Sequence, residues 1–255
     1  MIFLRKLRLV HWALVIGQCL FALDCLAQTD APRTPAKLRF VFVDEAAGSY
    51  SLKIGREFKK LSSSPYSLSP VITPPGFGQL EIHKTLPTID PETGENIRIK
   101  LTTFTPPANT TAALAIVTPR FPGNDPTLTP TASIEFIDND PSAYPAGTIR
   151  VLNRSQHAMA AQFGEDKILV EPSGVQIIRP TTNDRGLVRS RIAGQTATGW
   201  KIIDDNVAVV KPETRLTGLF LFSPSGMRFR FNAAFIAERG EPPPSHVWLT
   251  YTDAP

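Results

Sequence analysis

Cysteine is nearly absent from this chain. It occurs only at Cys19 and Cys25, both within the first 27 of the 255 residues. Cleavage after Ala27 would remove both, so the mature chain could form no disulfide and no thiolate metal site. A cysteine-free protein outside the cytoplasm has to hold its fold by packing alone.

The first 27 residues have the composition of a secretory signal peptide. Basic residues precede an apolar run over 9–23, and a cleavage-like site ends at Ala27. The run is shorter than the about 20 apolar residues that a membrane-spanning helix needs. We therefore expect a cleaved leader over 1–27, no transmembrane anchor after cleavage, and a secreted or periplasmic product. An uncleaved anchor and a lipoprotein are the alternatives.

Strong charge of one sign is also missing. The leader carries three of the 27 basic residues and one of the 23 acidic residues, so its removal lowers the net charge from +4 to +2. This balance gives no reason to expect a nucleic-acid partner. The remaining 228 residues suffice for two domains, each with its own core.

Long helices have little room among 24 prolines and 16 glycines, because an interior proline costs about 3 kcal/mol. Only Arg56 to Ser62 and Ala233 to Arg239 could hold a short helical turn. Elsewhere, short apolar runs alternate with turn residues. This pattern predicts an all-β fold, with two tandem antiparallel β-sandwich (immunoglobulin-like) domains after the signal peptide.

The predicted domains are separated by a turn-rich segment without apolar alternation. We expect a flexible lead-in over 28–36, a first β-sandwich over 37–138, a linker over 139–147 and a second β-sandwich over 148–255. The predicted strands include Tyr66 to Ile72, Asn96 to Phe104, Trp200 to Ile203 and Val207 to Val210. A hairpin is predicted from Leu219 to Phe231.

The two halves open in a similar way. Leu38-Arg-Phe-Val-Phe42 followed by Tyr50-Ser-Leu-Lys-Ile-Gly55 matches Ile149-Arg-Val-Leu-Asn153 followed by Met159-Ala-Ala-Gln-Phe-Gly164. This opening resembles uncharacterised secreted domains of bacterial envelopes. The resemblance implies tandem β-sandwiches and brings no catalytic residues with it.

Catalytic motifs are missing as well. The chain has no Gly-x-Ser-x-Gly, no His-Glu-x-x-His and no phosphate-cradling glycine loop. After the leader, the only histidines are His83, His157 and His246, far apart in sequence. We therefore expect a protein that is not an enzyme and that needs no cofactor, with calcium as the one open possibility.

The calcium possibility rests on Asp138, Asn139 and Asp140. Clustered carboxylate and amide oxygens are the ligand type that calcium takes. The stretch Ile134-Glu-Phe-Ile-Asp-Asn-Asp-Pro141 is similar to the terminal strand of Calx-beta domains and, more loosely, to the calcium linkers of cadherins. The alternative is that these residues end a strand by capping their own backbone. A second run, Asp204-Asp205-Asn206, is predicted to be a hairpin turn.

A basic stripe marks the second half. Arg189 and Arg191 share one face of a predicted strand, and Arg228 and Arg230 share one face of another. If both strands lie in one sheet, four guanidinium groups could bind the anionic groups of a polymer. The alternative is an ordinary solvated face whose charges discourage edge-to-edge pairing of sheets.

These features favour a non-enzymatic structural or binding module of the cell envelope, with a polymer or a protein as partner. One alternative is a carbohydrate-binding module or a weak carbohydrate-active hydrolase, with Trp200, Trp248 or Tyr144 as stacking platforms. Another is an assembly partner that captures a strand at an edge formed by Lys167 to Arg179.

Overall fold

The computed structural model describes residues 35–43, 48–62, 66–121, 129–222 and 246–254, and these ranges form fifteen strands and no helix. They therefore contain no helix that is long and apolar enough to cross a membrane. The strands are β1 Lys37–Phe42, β2 Ser49–Ile54, β3 Glu57–Ser62, β4 Leu80–Ile89, β5 Asn96–Phe104, β6 Ala112–Arg120, β7 Thr131–Asp138, β8 Ile149–Arg154, β9 Met159–Phe163, β10 Asp166–Val170, β11 Val175–Ile178, β12 Leu187–Thr196, β13 Gly199–Val209, β14 Arg215–Phe222 and β15 His246–Asp253.

The strands form four sheets, two in each half of the chain. The first half has the orders β1-β6-β7 and β3-β2-β4-β5, and the second half has β11-β8-β14-β15 and β10-β9-β12-β13. The all-β, β-sandwich prediction is confirmed. Most pairings are antiparallel, but the first strand of each half runs parallel to its neighbour, β1 to β6 and β8 to β14.

The sheets stack in four layers with an apolar layer between each neighbouring pair. Side chains of β1 and β6 such as Phe40 and Ala115 pack against the β3-β2-β4-β5 sheet. In the second half, residues such as Val151 and Ile192 fill the space between its two sheets. A third cluster, which includes Val41 and Leu219, lies between the β1-β6-β7 sheet and the β11-β8-β14-β15 sheet and so joins the two halves. Alternation along the strands thus supplies apolar residues to both faces of the two central sheets.

The two halves repeat one topology. With β8 matched to β1 and β9 to β2, both halves have the same strand order, and in place of β11 the first half has isolated antiparallel bridges from Leu68 and Ile72 to β1. The glycines that end the matched second strands, Gly55 and Gly164, have φ of +62° and +64°. The similar sequences at the start of the two halves therefore form equivalent strands, β1 and β2 in the first half and β8 and β9 in the second. The positive φ explains why glycine ends β2 and β9.

Three sequence-based predictions are wrong. Residues 56–62 form no helical turn, because Glu57 to Ser62 is strand β3, paired with β2. Tyr66 to Ile72 makes only isolated bridges, at Leu68 and Ile72. Asp204-Asp205-Asn206 is not a turn but the middle of β13, since Asp205 and Asn206 continue the ladder with β12. In each case backbone pairing decides the conformation and side-chain polarity does not.

The segment between β7 and β8 is folded onto the second half. Tyr144 is fully buried, and Asn139 is nearly so. The domain boundary at 139–147 stays a prediction. The predicted signal peptide, the second strand of the predicted hairpin (227–231) and the predicted helical turn at 233–239 lie outside the described residues.

Candidate functional site

A cleft of about 280 Å³ opens between the two sheets of the second half, where edge strands β13 and β15 face each other. Its lining comes from four strands of both sheets. The residues are Ser190, Asp204, Asn206, Val207, Ala208, Val209, Leu216, Trp248, Thr250 and Thr252. The cleft is therefore a gap in the sandwich itself.

The inner face of the sandwich becomes polar at this cleft. On β13, Ala208 packs against the core, and the alternation of the strand points Asp204 and Asn206 to the same side. On β15, Trp248 packs against the core and is followed on that face by Thr250 and Thr252. Polar side chains thus occupy positions where a closed sandwich would place apolar ones.

Trp248 lies across the neighbouring strand because that strand has a glycine there. A Cβ at Gly218 would come within 1.9 Å of Trp248 Cη2 and 2.2 Å of Cζ2. Gly218 pairs with Thr250, so the indole reaches it along the diagonal of the ladder. The glycine lets the ring lie against β14 and form one wall of the cleft.

Asp204 brings a carboxylate into the cleft. Burial, followed by the nearby charge of Asp205, raises the pKa of Asp204 above its ordinary value of 3.8. Its carboxylate has no hydrogen bond or ion pair with the described residues, and the hydroxyls of Thr250 and Thr252 likewise have no hydrogen bond with them. Within the part of the chain that the structure describes, nothing prevents these groups from bonding a ligand.

Asp205 lies on the opposite face of β13, beside the arginine pair predicted from the sequence. Its carboxylate accepts hydrogen bonds of 3.0–3.2 Å from Arg189 and Arg191. These bonds lower the pKa of Asp205 below its usual range. The two arginines share one face as predicted, and Arg228 and Arg230 lie outside the described residues. An anion-binding face therefore stays a prediction.

The three residues of the predicted calcium site point in two directions. Asp138 and Asp140 accept hydrogen bonds from the turn at Thr110 and Thr111. Asn139 faces the other way, and its Oδ1 accepts from Arg150 at 2.8 Å. Burial raises the pKa of Asp140, but the hydrogen bonds outweigh it, and the pKa is lowered. Within the described ranges, no group of three or more His, Cys, Asp or Glu is placed to hold a metal. Calcium binding stays a prediction.

The proposed stacking platforms differ in exposure. Trp200 is 52% exposed on β13, outside the lining of the cleft. Tyr144 cannot serve as a platform, because it is fully buried with the guanidinium carbons of Arg150 and Arg215 at 4.1 and 4.9 Å from its ring centre. Of the three platforms proposed from the sequence, only Trp248 lies in the cleft.

Two of the three histidines meet, which their spacing in sequence did not indicate. His157 Nδ1 and His246 Nε2 are 3.3 Å apart, and the His246 ring stacks on Phe220. Burial, with the charge of His157 as a smaller cause, lowers the pKa of His246. His83 lies in the first half, where it bonds Glu81.

The segment Lys167 to Arg179 supplies β10 and β11, each at the edge of its sheet. Leu169, Val175 and Ile177 are between 41% and 55% exposed there. This placement fits the strand-capture alternative, which stays a prediction.

No protein-family model matches the chain, and no curated protein matches it. Among solved structures, it is similar to the crystal structure of a "putative cell adhesion protein" from Bacteroides eggerthii. That match has 10% sequence identity and a TM-score of 0.24, and covers 89% of this chain and 98% of the other. A similarity at this level carries no argument about function, so the proposals below rest on the geometry alone.

Proposed function

We propose that this chain is a non-enzymatic binding module that acts outside the cytoplasm and holds a neutral sugar in the cleft between β13 and β15. The observation that carries the proposal is the lining of the cleft. One indole, one carboxylate and several hydroxyls converge in a gap of the sandwich.

This lining matches the two surfaces of a sugar ring. The C–H face of a pyranose is apolar and packs on an aromatic ring such as that of Trp248. Its hydroxyls donate to a carboxylate such as Asp204 and exchange hydrogen bonds with Thr250 and Thr252. A volume of about 280 Å³ lies near the lower end of the range of small-molecule sites, so we expect one ring of a longer glycan to enter.

The arrangement of carboxylates favours binding over hydrolysis. Most glycoside hydrolases place two carboxyl groups across the scissile bond, about 5 to 10 Å apart. Here Asp204 is the only acidic residue among the described residues that line the cleft, because alternation along β13 turns Asp205 to the outer face. A single carboxylate can orient a sugar but cannot supply both the acid and the base.

The test is titration of the exported protein with neutral oligosaccharides, followed by calorimetry or by protein NMR. Trp248→Ala should abolish binding, since stacking on an aromatic ring is lost. Trp200→Ala, the matched control on the exposed side of β13, should bind like the wild type. Equal loss in both variants, or binding that survives Trp248→Ala, would contradict the proposal.

The pH profile gives a second test. Ionised Asp204 accepts hydroxyl hydrogen bonds at both oxygens, whereas protonation turns one of them into a donor, so binding should weaken as the pH falls through its pKa. Because burial raises this pKa above 3.8, the loss should begin at a higher pH than for an ordinary aspartate. Asp204→Asn should bind more weakly, and its affinity should not change with pH in this range.

The proposed location has its own test. N-terminal sequencing of the exported protein should find a start near Gln28, after the predicted cleavage at Ala27. A membrane-embedded product that retains Met1 would contradict export as a free protein.

A further inference from the structure

A second cleft, of about 330 Å³, opens where the two halves meet. Strands β1, β14 and β15 line it together with the start of β6. The side chains that matter here are Lys37, Arg39, Val71, Ala112, Arg215 and Asp253. Of the described residues that line this cleft, only Asp253 is acidic, whereas three are basic.

Asp253 is already engaged by Arg215. The Arg215 side chain is 3% exposed, and its Nε and Nη2 donate to the two carboxylate oxygens at 3.2 and 3.1 Å. Its Nη1 donates to the carbonyl oxygens of Asn139 and Tyr144. Every nitrogen of this guanidinium thus has a partner, and the carboxylate of Asp253 neutralises Arg215.

Among the described residues, Arg39 has no counter-charge of its own. Its Nη1 lies 3.8 Å from Asp253 Oδ2, which is too long for a hydrogen bond, and its Nε is buried with no hydrogen-bond partner in this part of the chain. Lys37 precedes it on the same face of β1 and has no ion pair with the described residues. An incompletely paired charge in a partly buried site attracts an anion.

Other charges nearby do not remove this imbalance. Arg150, which is buried on the far side of Asn139, adds a further cation. Burial lowers the pKa of Arg150 only to about 10, so its guanidinium is charged at neutral pH. The carboxylates of Asp138 and Asp140 accept hydrogen bonds from Thr110 and Thr111, and neither forms an ion pair with Arg39 or Lys37.

We propose that this cleft binds the carboxylate group of a small organic acid. The anion lies at the exposed edge of the Arg39 guanidinium, within reach of the flexible Lys37 ammonium. The apolar body of the acid packs against Val71 and Ala112. This site is separate from the sugar cleft, and the inference does not depend on the proposed function.

The probe is phenylacetate, and its neutral isostere phenylacetamide is the control ligand. NMR titration of the full exported protein should show saturable shifts with phenylacetate, weakened by salt, and none with the amide. Arg39→Gln should weaken binding at least tenfold. Arg56→Gln, which removes an exposed arginine in the turn between β2 and β3, should leave it unchanged. Equal binding of the two ligands, or unchanged binding by Arg39→Gln, would overturn the proposal.

Two further variants keep the test decisive if Arg39→Gln fails to fold. Lys37 is exposed, so Lys37→Glu should fold normally and should weaken phenylacetate binding by placing a like charge beside the ligand. An unchanged affinity in Lys37→Glu would refute the site. Trp248→Ala, which removes the wall of the sugar cleft, should bind phenylacetate like the wild type. Loss of binding in Trp248→Ala would place the acid in the sugar cleft instead and overturn the proposal.

Discussion

Gly218→Ala should destabilise the second half and close the sugar cleft. The added Cβ would lie 1.9 Å from Trp248 Cη2, whereas ordinary contact begins near 3.4 Å. The ring therefore has to move by more than 1 Å. The strand that carries Gly218 cannot yield easily, because β14 is paired on both sides, with β8 and with β15.

The magnitude follows from two opposing effects. Gly→Ala at an ordinary φ stabilises a protein by about 0.4–1 kcal/mol, because the unfolded chain loses freedom. Overpacking costs about 1–3 kcal/mol, and a displaced Trp248 would also lose about 100 Å² of apolar burial, or about 2.5 kcal/mol at about 25 cal/mol per Å². We expect a net loss of about 3–5 kcal/mol in the free energy of unfolding, measured by urea denaturation, together with loss of sugar binding.

The control is Gly78→Ala, where nothing lies within 4 Å of the added Cβ and φ is not in the positive range. It should be neutral or stabilising by up to about 1 kcal/mol. In a Trp248→Ala background, Gly218→Ala should lose most of its cost, which gives a large coupling energy in a double-mutant cycle. Gly218→Ala as stable as Gly78→Ala, or no coupling with Trp248, would refute the packing argument.

Two further predictions concern charged groups of the second half. Because the pKa of His246 is lowered, the unfolded chain takes up a proton near pH 6.5 that the folded chain does not, so the free energy of unfolding should fall as the pH drops below 6.5. His157→Asn should reduce this slope in urea titrations at several pH values, and an unchanged slope would exclude coupling within the pair. Asp205→Asn should free Arg189 and Arg191 and strengthen salt-sensitive retention on an anionic polysaccharide column. Equal retention would show that these arginines form no anion-binding face.

The sequence predicts strands well where alternation is strong. Asn96 to Phe104 is predicted with its true bounds, because apolar and polar residues alternate along it. The strand β3 is missed because Phe58, Lys59 and Lys60 lie exposed at a sheet edge, where pairing with β2 is not visible in the pattern. Strand β15 is also missed, although its residues alternate between the cleft, which Trp248, Thr250 and Thr252 line, and the layer between the halves, where Leu249 and Tyr251 pack.

The sequence does not reveal the candidate site, because polar residues inside a strand resemble a turn. Asp204 and Asn206 are predicted to lie in a turn because the inner face of a sandwich is expected to be apolar throughout. In the structure their polarity marks a cleft within a strand. The sequence indicates Trp248 as a possible platform, but Asp204 and Asn206, which line the cleft with it, come from β13, far away in sequence. Only the fold brings them together.

The apolar layer between the two halves has a consequence for how the protein is built. The β1-β6-β7 sheet of the first half buries Val41, Leu114 and Ile116 against Leu152 and Leu219 of the second. A half expressed alone would present this surface to water and would be expected to self-associate. Covalent linkage turns the encounter of two such modules into an intramolecular event, with an effective concentration in the millimolar range for a short connection. The tandem chain can therefore assemble its central interface at any dilution, as a free pair of modules could not.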